Sequence, residues 1–291
     1  MALFRKSRRR IVAVLADTHG GSRFGLLSPD TVLVRELDRG DWEEWTPDLT
    51  ETQRYLWERY EAHLEQLRQF AGQDEILVFH DGDLTDGVRY PEHLMPDITL
   101  ADQRAIGCYV LLPLFRLRNV RTGRLVAGTL THGPESPEAR VAAKLARDTG
   151  KDVQSYRHGQ ADVDGVLFEF AHHGPFPGSR DWLRGNVALL HLKSRVYEDR
   201  RRGLQPARVH AYAHYHQFVH VTHNEIWQGE RCTYDLVICP SYSGLKRHGQ
   251  KVTRSTPFIR NGLIAFEVVD GALGRIEAFF DEEDLRTKEA L

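Results

Sequence analysis

The 291-residue chain is 41% apolar and 27% charged, which is typical of a globular protein with a sizeable core and leaves room for one large domain or two small ones. Its formal net charge of −2 gives no overall attraction to nucleic acid or membrane, and no run approaches the ~18 apolar residues of a membrane span. The three cysteines lack Cys-x-x-Cys spacing and cannot all pair, which disfavours a disulfide framework and predicts a reducing, cytoplasmic location.

The first predicted strand, residues 11–15, is a run of five apolar residues that leads into Asp17, Thr18 and His19. Side chains alternate between the two faces of a strand, so Asp17 and His19 would point to the same side if the extended backbone continues through Thr18. A carboxylate and an imidazole that converge just past the end of a strand are a candidate pair of metal ligands.

A long loop and a helix follow this strand. Residues 20–49 have no regular apolar period and are predicted to form the loop. Apolar residues at three- and four-residue spacing then predict a helix over residues 50–70. Thr50 is its expected N-cap, Gln53 stands at the capping-box position, and Gly72 ends the helix.

Side chains that can bind metals also follow the next two predicted strands. Residues 75–80 form a buried strand that leads into Asp83 and Asp86, and residues 124–128 form a strand that leads into the segment of His132. Helices are predicted between these strands, which indicates parallel βαβ units.

The second half of the chain is predicted to be mostly strands, with one long helix over residues 181–202 that Ser179 caps. Two strands end in histidine pairs, which are His172/His173 after residues 166–171 and His214/His216 after residues 207–213. Further strands, expected to make this half antiparallel, are predicted over residues 217–223, 231–239, 262–269 and 274–280. The charged residues from 281 onward are predicted to be a short helix or a frayed end. Together the elements predict two packed sheets flanked by helices, in one domain.

Five strand ends therefore carry about seven nitrogen and oxygen donors and no cysteine. Because the carboxyl ends of parallel strands lie at one edge of a sheet, these side chains are expected to converge there. Mixed carboxylate and imidazole donors suit Mn, Fe, Zn, Ni or Co and argue against calcium or a structural thiolate zinc. A bridging carboxylate with donors on both sides can hold two metals ~3.5–4 Å apart, as phosphoryl transfer uses.

The order of these blocks, Asp-x-His, Gly-Asp-x-x-Asp, a Gly/His segment, His-Gly and x-His-x-His, resembles the calcineurin-like metallophosphoesterases. Four of the five blocks match in order, and they span residues 17–216. The resemblance implies an α/β fold, a four-layer αββα double β-sandwich of the metallophosphoesterase type. It implies a single domain over residues 1–291, with a loop and helix insertion at about 20–74. It also implies a dinuclear centre of two divalent ions, for which Mn is expected first and Fe, Zn, Ni or Co are alternatives.

The resemblance also implies roles for individual residues. The first metal would be held by Asp17, His19 and His216, and Asp83 would bridge to the second metal. The second metal would be held by His173 and His214. The catalytic histidine would be His132, oriented by Asp86, and it would assist the leaving oxygen while a metal-bound hydroxide attacks phosphorus.

The third block departs from the family pattern of Gly-Asn-His-Asp/Glu, whose Asn is a ligand of the second metal. Here Gly128 is followed by Thr129, Leu130, Thr131 and His132. We expect Thr131 to replace the Asn as ligand, with Thr129 or a water as alternatives. A second alternative concerns the histidine pair: His173 precedes glycine as in the family, but a shift of one residue in strand register would turn His172 to the metal.

These observations predict a hydrolase of phosphate esters, with a phosphodiesterase or nuclease acting on nucleic acid or nucleotides preferred. The third block carries no arginine beside its histidine, and the arginine-rich segments 5–10 and 200–202 are compatible with a polyanionic substrate such as DNA or RNA. Arg180 and Arg184 are candidate phosphate-binding residues because they follow the His-Gly turn. No membrane partner is expected. The alternatives are a degenerate, non-catalytic phosphate-binding or scaffolding module, and a nucleic-acid-binding protein with incidental histidines.

Overall fold

The computed structural model describes residues 8–37, 40–129, 136–178, 183–244 and 258–284, together with Arg286 and Glu289. The helices in these ranges are α1 (Glu51–Ala71), α2 (Leu100–Arg116), α3 (Pro137–Thr149) and α4 (Asn186–Arg201), with a short 3₁₀ turn at Pro91–His93. The strands are β1 (Arg9–Leu15), β2 (Leu33–Glu36), β3 (Trp42–Trp45), β4 (Glu75–His80), β5 (Val120–Val126), β6 (Asp152–Tyr156), β7 (Gly159–Val163), β8 (Val166–His173), β9 (Val209–Ala213), β10 (Val219–Trp227), β11 (Glu230–Ile238), β12 (Phe258–Val269) and β13 (Ala272–Asp284). The protein is thus a mixed α/β structure with several sheets.

The first sheet has six strands in the order β13-β12-β1-β4-β5-β6. Strands β1, β4, β5 and β6 are parallel, as the alternation of strands and helices predicted, while β12 lies antiparallel to β1 on its other side. The parallel arrangement brings the residues that follow β1, β4 and β5 to one edge of this sheet.

The second sheet has five strands in the order β10-β11-β9-β8-β7. The prediction of an antiparallel second half was wrong for its centre, because β8 and β9 are parallel and so are β9 and β11. The long α4 connection between β8 and β9 makes a parallel crossover possible, which a tight hairpin would not. This crossover places the residues after β8 and after β9 at the same edge.

Three hydrophobic clusters show which surfaces are buried. Alternate residues of β1 face opposite ways: Ile11 packs with residues of α1 and α2, and Val12 packs with Phe168 and Phe170 of the second sheet. The third cluster joins α4, through residues such as Leu192, to the other face of the second sheet. The uninterrupted apolar run of β1 is explained by this burial on both faces.

The observed start of α1 matches the sequence prediction, whereas the observed start of α4 does not. In α1, the Thr50 side chain accepts from the Gln53 amide and the Gln53 side chain accepts from the Thr50 amide, which confirms the capping box. The helix expected to begin near residue 181 begins at Asn186, with Gly185 as its N-cap. Ser179, the expected cap, lies outside the described residues.

Two further expectations need correction. The loop over residues 20–49 contains a small antiparallel hairpin of β2 and β3. Strand β3 alternates exposed and partly buried side chains, but β2 has one buried residue followed by three exposed ones, so four residues each give no clear pattern. The charged segment from residue 281 continues β13 as far as Asp284, because it stays paired with the start of β12. Among the described residues, no helix combines the length and apolarity needed to cross a membrane.

Candidate metal centre

The loops that follow β1 and β4 run side by side and are joined through their backbones. The Asp17 amide donates to the Gly82 carbonyl at 3.0 Å, and the His19 amide donates to the Asp83 carbonyl at 3.0 Å. These hydrogen bonds place the carboxylates of Asp17 and Asp83 next to each other at the sheet edge, where both are almost fully buried.

Asp17 and His19 converge, but not by the extended geometry that the sequence suggested. Strand β1 ends at Leu15, and Asp17 and His19 have φ angles of 51° and 46°, in the left-handed region. The backbone turns through these residues because it follows the β4 loop to which it is hydrogen-bonded. Their proximity is therefore set by a turn and not by strand alternation.

The same conformation recurs at three other candidate ligands, since Asp83, His214 and His216 have φ angles of 51°, 75° and 52°. A left-handed residue other than glycine is uncommon and costs about 1–3 kcal/mol. Such strain clusters at functional sites, where the surrounding structure enforces a side-chain direction. Its coincidence with five predicted ligands favours a functional interpretation of this edge.

The first donor group consists of Asp17, His19 and His216, the three residues expected at the first metal. The Nε2 atoms of His19 and His216 lie 3.2 Å apart, and Asp17 Oδ1 is 3.5 Å from His216 Nε2 and 3.9 Å from His19 Nε2. The His214 amide donates to Asp17 Oδ2 at 3.1 Å, which fixes the carboxylate in this orientation.

Asp86 lies behind this group. Its Oδ1 atom is 3.0 Å from His19 Nδ1, so the carboxylate orients the imidazole and leaves Nε2 facing the other donors. The sequence had assigned Asp86 to the orientation of His132, which lies outside the described residues. Among the described residues, Asp86 contacts the candidate metal ligand His19, and its amide donates to the Gly20 carbonyl at 3.2 Å.

The second donor group contains His172. Its Nδ1 donates to the Asp81 carbonyl at 2.8 Å, and its Nε2 is therefore free to face Asp83 Oδ2, at 3.1 Å. Gly82 makes this approach possible, because a Cβ atom there would lie 2.6 Å from His172 Nδ1, and its φ of +91° suits glycine.

A β-bulge gives His172 and His173 different surroundings. The pairing of β8 with β9 shifts register between Phe170 and His173, so that β8 carries one extra residue. His172 is 2% exposed and contacts Asp83, whereas His173 is exposed, with its ring 4.4 Å from the ring of His214. The nitrogens of His172, His173 and His214 still lie within 4.8 Å of one another.

Thr129 occupies the centre of the second group. Its amide donates to Asp83 Oδ1 at 2.6 Å and its hydroxyl donates to Asp83 Oδ2 at 3.1 Å. The same hydroxyl oxygen lies 3.2 Å from His172 Nε2 and 3.5 Å from His214 Nδ1. Of the two threonines considered as replacements for the missing Asn, Thr129 is at the site, and Thr131 lies outside the described residues.

The protonation states of the group follow from burial and charge. Burial opposes a charged His172, but the Asp83 carboxylate outweighs it and raises the pKa of His172 to about 10. Burial lowers the pKa of His214 to about 4, and the charge of His172 acts in the same direction. Burial alone would raise the pKa of Asp17, yet the charge of His216 brings that pKa to about 2. Asp17 is thus ionised and His214 neutral near pH 7, the forms that bind divalent ions, whereas His172 is protonated and would release a proton on binding one.

The donor chemistry fits divalent metals. Three overlapping groups have ligand atoms within 4.8 Å of one another: Asp17/His19/His216, Asp17/Asp83/His172 and His172/His173/His214. All the donors are carboxylate oxygens or imidazole nitrogens, which suit Mn, Fe, Zn, Ni or Co. The His and Asp clusters at this edge could therefore bind metal ions.

The predicted substrate-binding residues are only partly described. His132 and Arg180 lie outside the described residues. Arg184 is half-buried just before α4, and the neighbouring Gly185 amide donates to the Pro177 carbonyl at 3.1 Å. Its role in binding phosphate stays a prediction.

Two arginines of the arginine-rich segments are paired with carboxylates. Arg9 pairs with Asp74 at 2.7 Å and with Glu267 at 2.5 Å. Arg200 pairs with Glu225 at 2.8 Å. These arginines stabilise the junctions between strands and helices, which removes them as support for a nucleic-acid substrate.

Comparisons with known proteins give structural neighbours alone. No family model matches the chain, and no curated protein matches it. The Haemophilus influenzae NAD nucleotidase aligns over 94% of this chain and 50% of its own, with 11% identity and a TM-score of 0.38. The 5′-nucleotidase precursor of Thermus thermophilus aligns over 94% and 54%, with 14% identity and a TM-score of 0.37. The sulfate thiohydrolase SoxB of Thermus thermophilus aligns over 96% and 57%, with 9% identity and a TM-score of 0.39.

The chain spans about half the length of these three structures. With identities and TM-scores this low, the function must be argued from the residues at the sheet edge.

Proposed function

We propose that the protein is a metal-dependent phosphoesterase with two metal positions at the edge shared by its two sheets. The observation that carries the proposal is the overlap of the donor groups. The central group of Asp17, Asp83 and His172 shares Asp17 with the group of His19 and His216, and it shares His172 with the group of His173 and His214. A buried carboxylate between two sets of donors is what a pair of neighbouring divalent ions requires.

Each ion has a proposed set of ligands. The first would be held by Asp17, His19 and His216, and Asp83 would lie between the two. The second would be held by His172 and His214, with Thr129 in place of an amide ligand. His173 is an exposed neighbour of the second position. We also propose that the fold that supports the two positions is an αββα double β-sandwich.

The bound ions would lower the pKa of a water molecule and offset the negative charge of the phosphoryl oxygens. The protein contributes orientation and proton transfer. Asp86 fixes the ring of His19, the Asp81 carbonyl fixes the ring of His172, and His132 is proposed to donate a proton to the leaving oxygen. Arg184 is proposed to bind the phosphate.

The proposed substrate class is a phosphodiester of a nucleotide, with Mn as the first metal to test. The support is the chemistry of the site, and Arg9 and Arg200 add none because they are paired with carboxylates. A panel of a monoester, a diester, single-stranded DNA and duplex DNA, each with Mn, separates a small-molecule esterase from a nuclease.

The decisive variants are Asp83→Asn and His132→Ala. Each should reduce Mn-dependent hydrolysis of a generic phosphodiester by at least about a hundredfold, because a metal-bridging carboxylate and a proton donor are lost. Asp148→Asn, which changes an exposed carboxylate paired with Lys144, is the matched control and should retain activity.

Full activity in both variants would overturn the proposal. A wild-type protein that binds fewer than two ions and hydrolyses no ester in the panel would instead support the non-catalytic phosphate-binding module, which the replacement of the amide ligand by Thr129 favours.

A further inference from the structure

We infer that Phe176 and Tyr215 form an aromatic subsite beside the metal centre that stacks the planar base of a nucleotide substrate. The inference rests on the proposed function for the placement of the phosphate at the metal positions. It adds the chemical class of the group that the phosphate carries.

The two rings are connected to the candidate ligands by direct contacts. The rings of Phe176 and Tyr215 are 5.5 Å apart in an edge-to-face arrangement at 72°. The Tyr215 ring is 5.1 Å from the ring of His214. His214 in turn lies beside His172 and His173, so the aromatic pair extends the donor cluster outward along the same edge.

The turn that carries Phe176 is fixed to the fold. Gly174 packs against Tyr212 so closely that a Cβ atom there would lie 2.5 Å from the Tyr212 ring. One residue after Phe176, the Pro177 carbonyl accepts from the Gly185 amide at 3.1 Å. These contacts hold Phe176 at the rim, where 38% of its surface is exposed.

An exposed phenyl ring at the rim of a phosphate site offers a stacking face for a planar organic group. Every nucleobase has a π face that stacks on an aromatic side chain, and the interaction tolerates different bases. In a nucleotide the base lies one sugar away from the phosphate. Because the edge-to-face contact with Tyr215 brings the two rings together, the base would stack on the exposed surface of Phe176, and Tyr215 would hold that ring in place.

The experiment compares two ligands that differ only in the base: the phosphonate analogues of adenosine 5′-monophosphate and of ribose 5-phosphate. Binding to the Mn-loaded full chain is measured by calorimetry for the wild type, Phe176→Ala and Phe176→Trp. The wild type should bind the adenosine analogue about tenfold more tightly, and Phe176→Ala should remove most of that preference. Phe176→Trp should retain it, because the stacking face is kept.

The matched control is Tyr197→Ala, which removes an aromatic ring that is 68% exposed on α4. It should keep the preference of the wild type, and metal content measured in every variant shows that the centre is intact. Equal binding of the two ligands by the wild type, or an unchanged preference in Phe176→Ala, would overturn the subsite. If the protein hydrolyses phosphoesters but shows no binding preference for the adenosine analogue, this inference alone is contradicted. If it shows that preference but hydrolyses no ester, the proposed function alone is contradicted.

Discussion

Thr129 is the residue on which the second metal position depends most. Its amide and hydroxyl both donate to Asp83, and its hydroxyl oxygen also lies within hydrogen-bond reach of His172 and His214. A hydroxyl is a weaker metal ligand than an amide carbonyl, but it orients three stronger ones. Its contribution is therefore expected to be mainly the placement of Asp83 and His172.

The variant Thr129→Val tests this role, because valine keeps the shape and removes the hydroxyl. The affinity for the second Mn ion should fall by about tenfold to a hundredfold, as when a hydrogen bond to a ligand is lost. Isothermal titration of metal-free protein measures the two binding events separately. Thr129→Ser keeps the hydroxyl and should stay within about threefold of the wild type; equal losses in both variants would contradict the hydroxyl's role.

At the scale of elements, strand β8 organises both the metal edge and a buried polar cluster. Glu169 of β8 is 1% exposed and faces His210 of β9 at 3.5 Å, Arg195 of α4 at 3.3 Å and His158 at 3.4 Å. Burial alone would raise the pKa of Glu169, but the hydrogen bonds from His158 and His210 and the charge of Arg195 hold that pKa well below its ordinary range. The carboxylate ties α4 to the second sheet three residues before His172.

A lowered pKa in the folded state gives a signed pH dependence. Glu169 stabilises the fold above the ordinary glutamate pKa, about 4.3, and this stabilisation is lost as the pH falls, because the unfolded chain takes up the proton more readily. Glu169→Gln should therefore be less stable than the wild type at pH 7, with the difference shrinking at lower pH. Urea denaturation across that range measures it, and Glu61→Gln, on the exposed face of α1, is the control.

The prediction for Glu169 fails if the wild type and Glu169→Gln keep a constant difference in unfolding free energy from pH 7 to below the ordinary glutamate pKa. A constant difference would mean that the carboxylate acts through packing and not through its charge.

At the scale of the whole molecule, aromatic rings join the two sheets. Phe79 of β4 and Phe170 of β8 stack with ring centres 3.7 Å apart and an angle of 10°. Both are nearly fully buried, and Phe168 continues the contact toward Phe266 of β12. The packing of these rings fixes the position of one sheet relative to the other. It therefore also sets the distance between the loop of Asp83 and the end of β8.

Truncation of this layer should affect stability and metal binding together. Phe170→Ala should lower the free energy of unfolding by about 3–5 kcal/mol, because a large buried ring is replaced by a cavity. Chemical denaturation measures this loss, and Ile226→Ala, at a side chain that is 78% exposed, should change stability by no more than about 0.5 kcal/mol. A loss below about 1 kcal/mol for Phe170→Ala would show that the sheets are held elsewhere.

Much of the fold and part of the candidate site could be predicted from local sequence. The apolar run of β1, the capping box of Thr50 and Gln53 and the glycine after α1 are local signals, and the structure has each of them. The parallel pairing of β8 with β9 was missed, because strand direction depends on which distant segments pair, and alternation within a strand carries no information about its neighbour.

The sequence by itself determined which donors are present and in what order they follow the strands, because residue type and the position of strand ends are local properties. Only the tertiary structure decided that His172 and not His173 faces Asp83, since this depends on a bulge in the pairing of β8 with β9. It also decided that Asp17 turns in a left-handed conformation and that Thr129 meets Asp83, because both result from contacts between segments far apart in the chain.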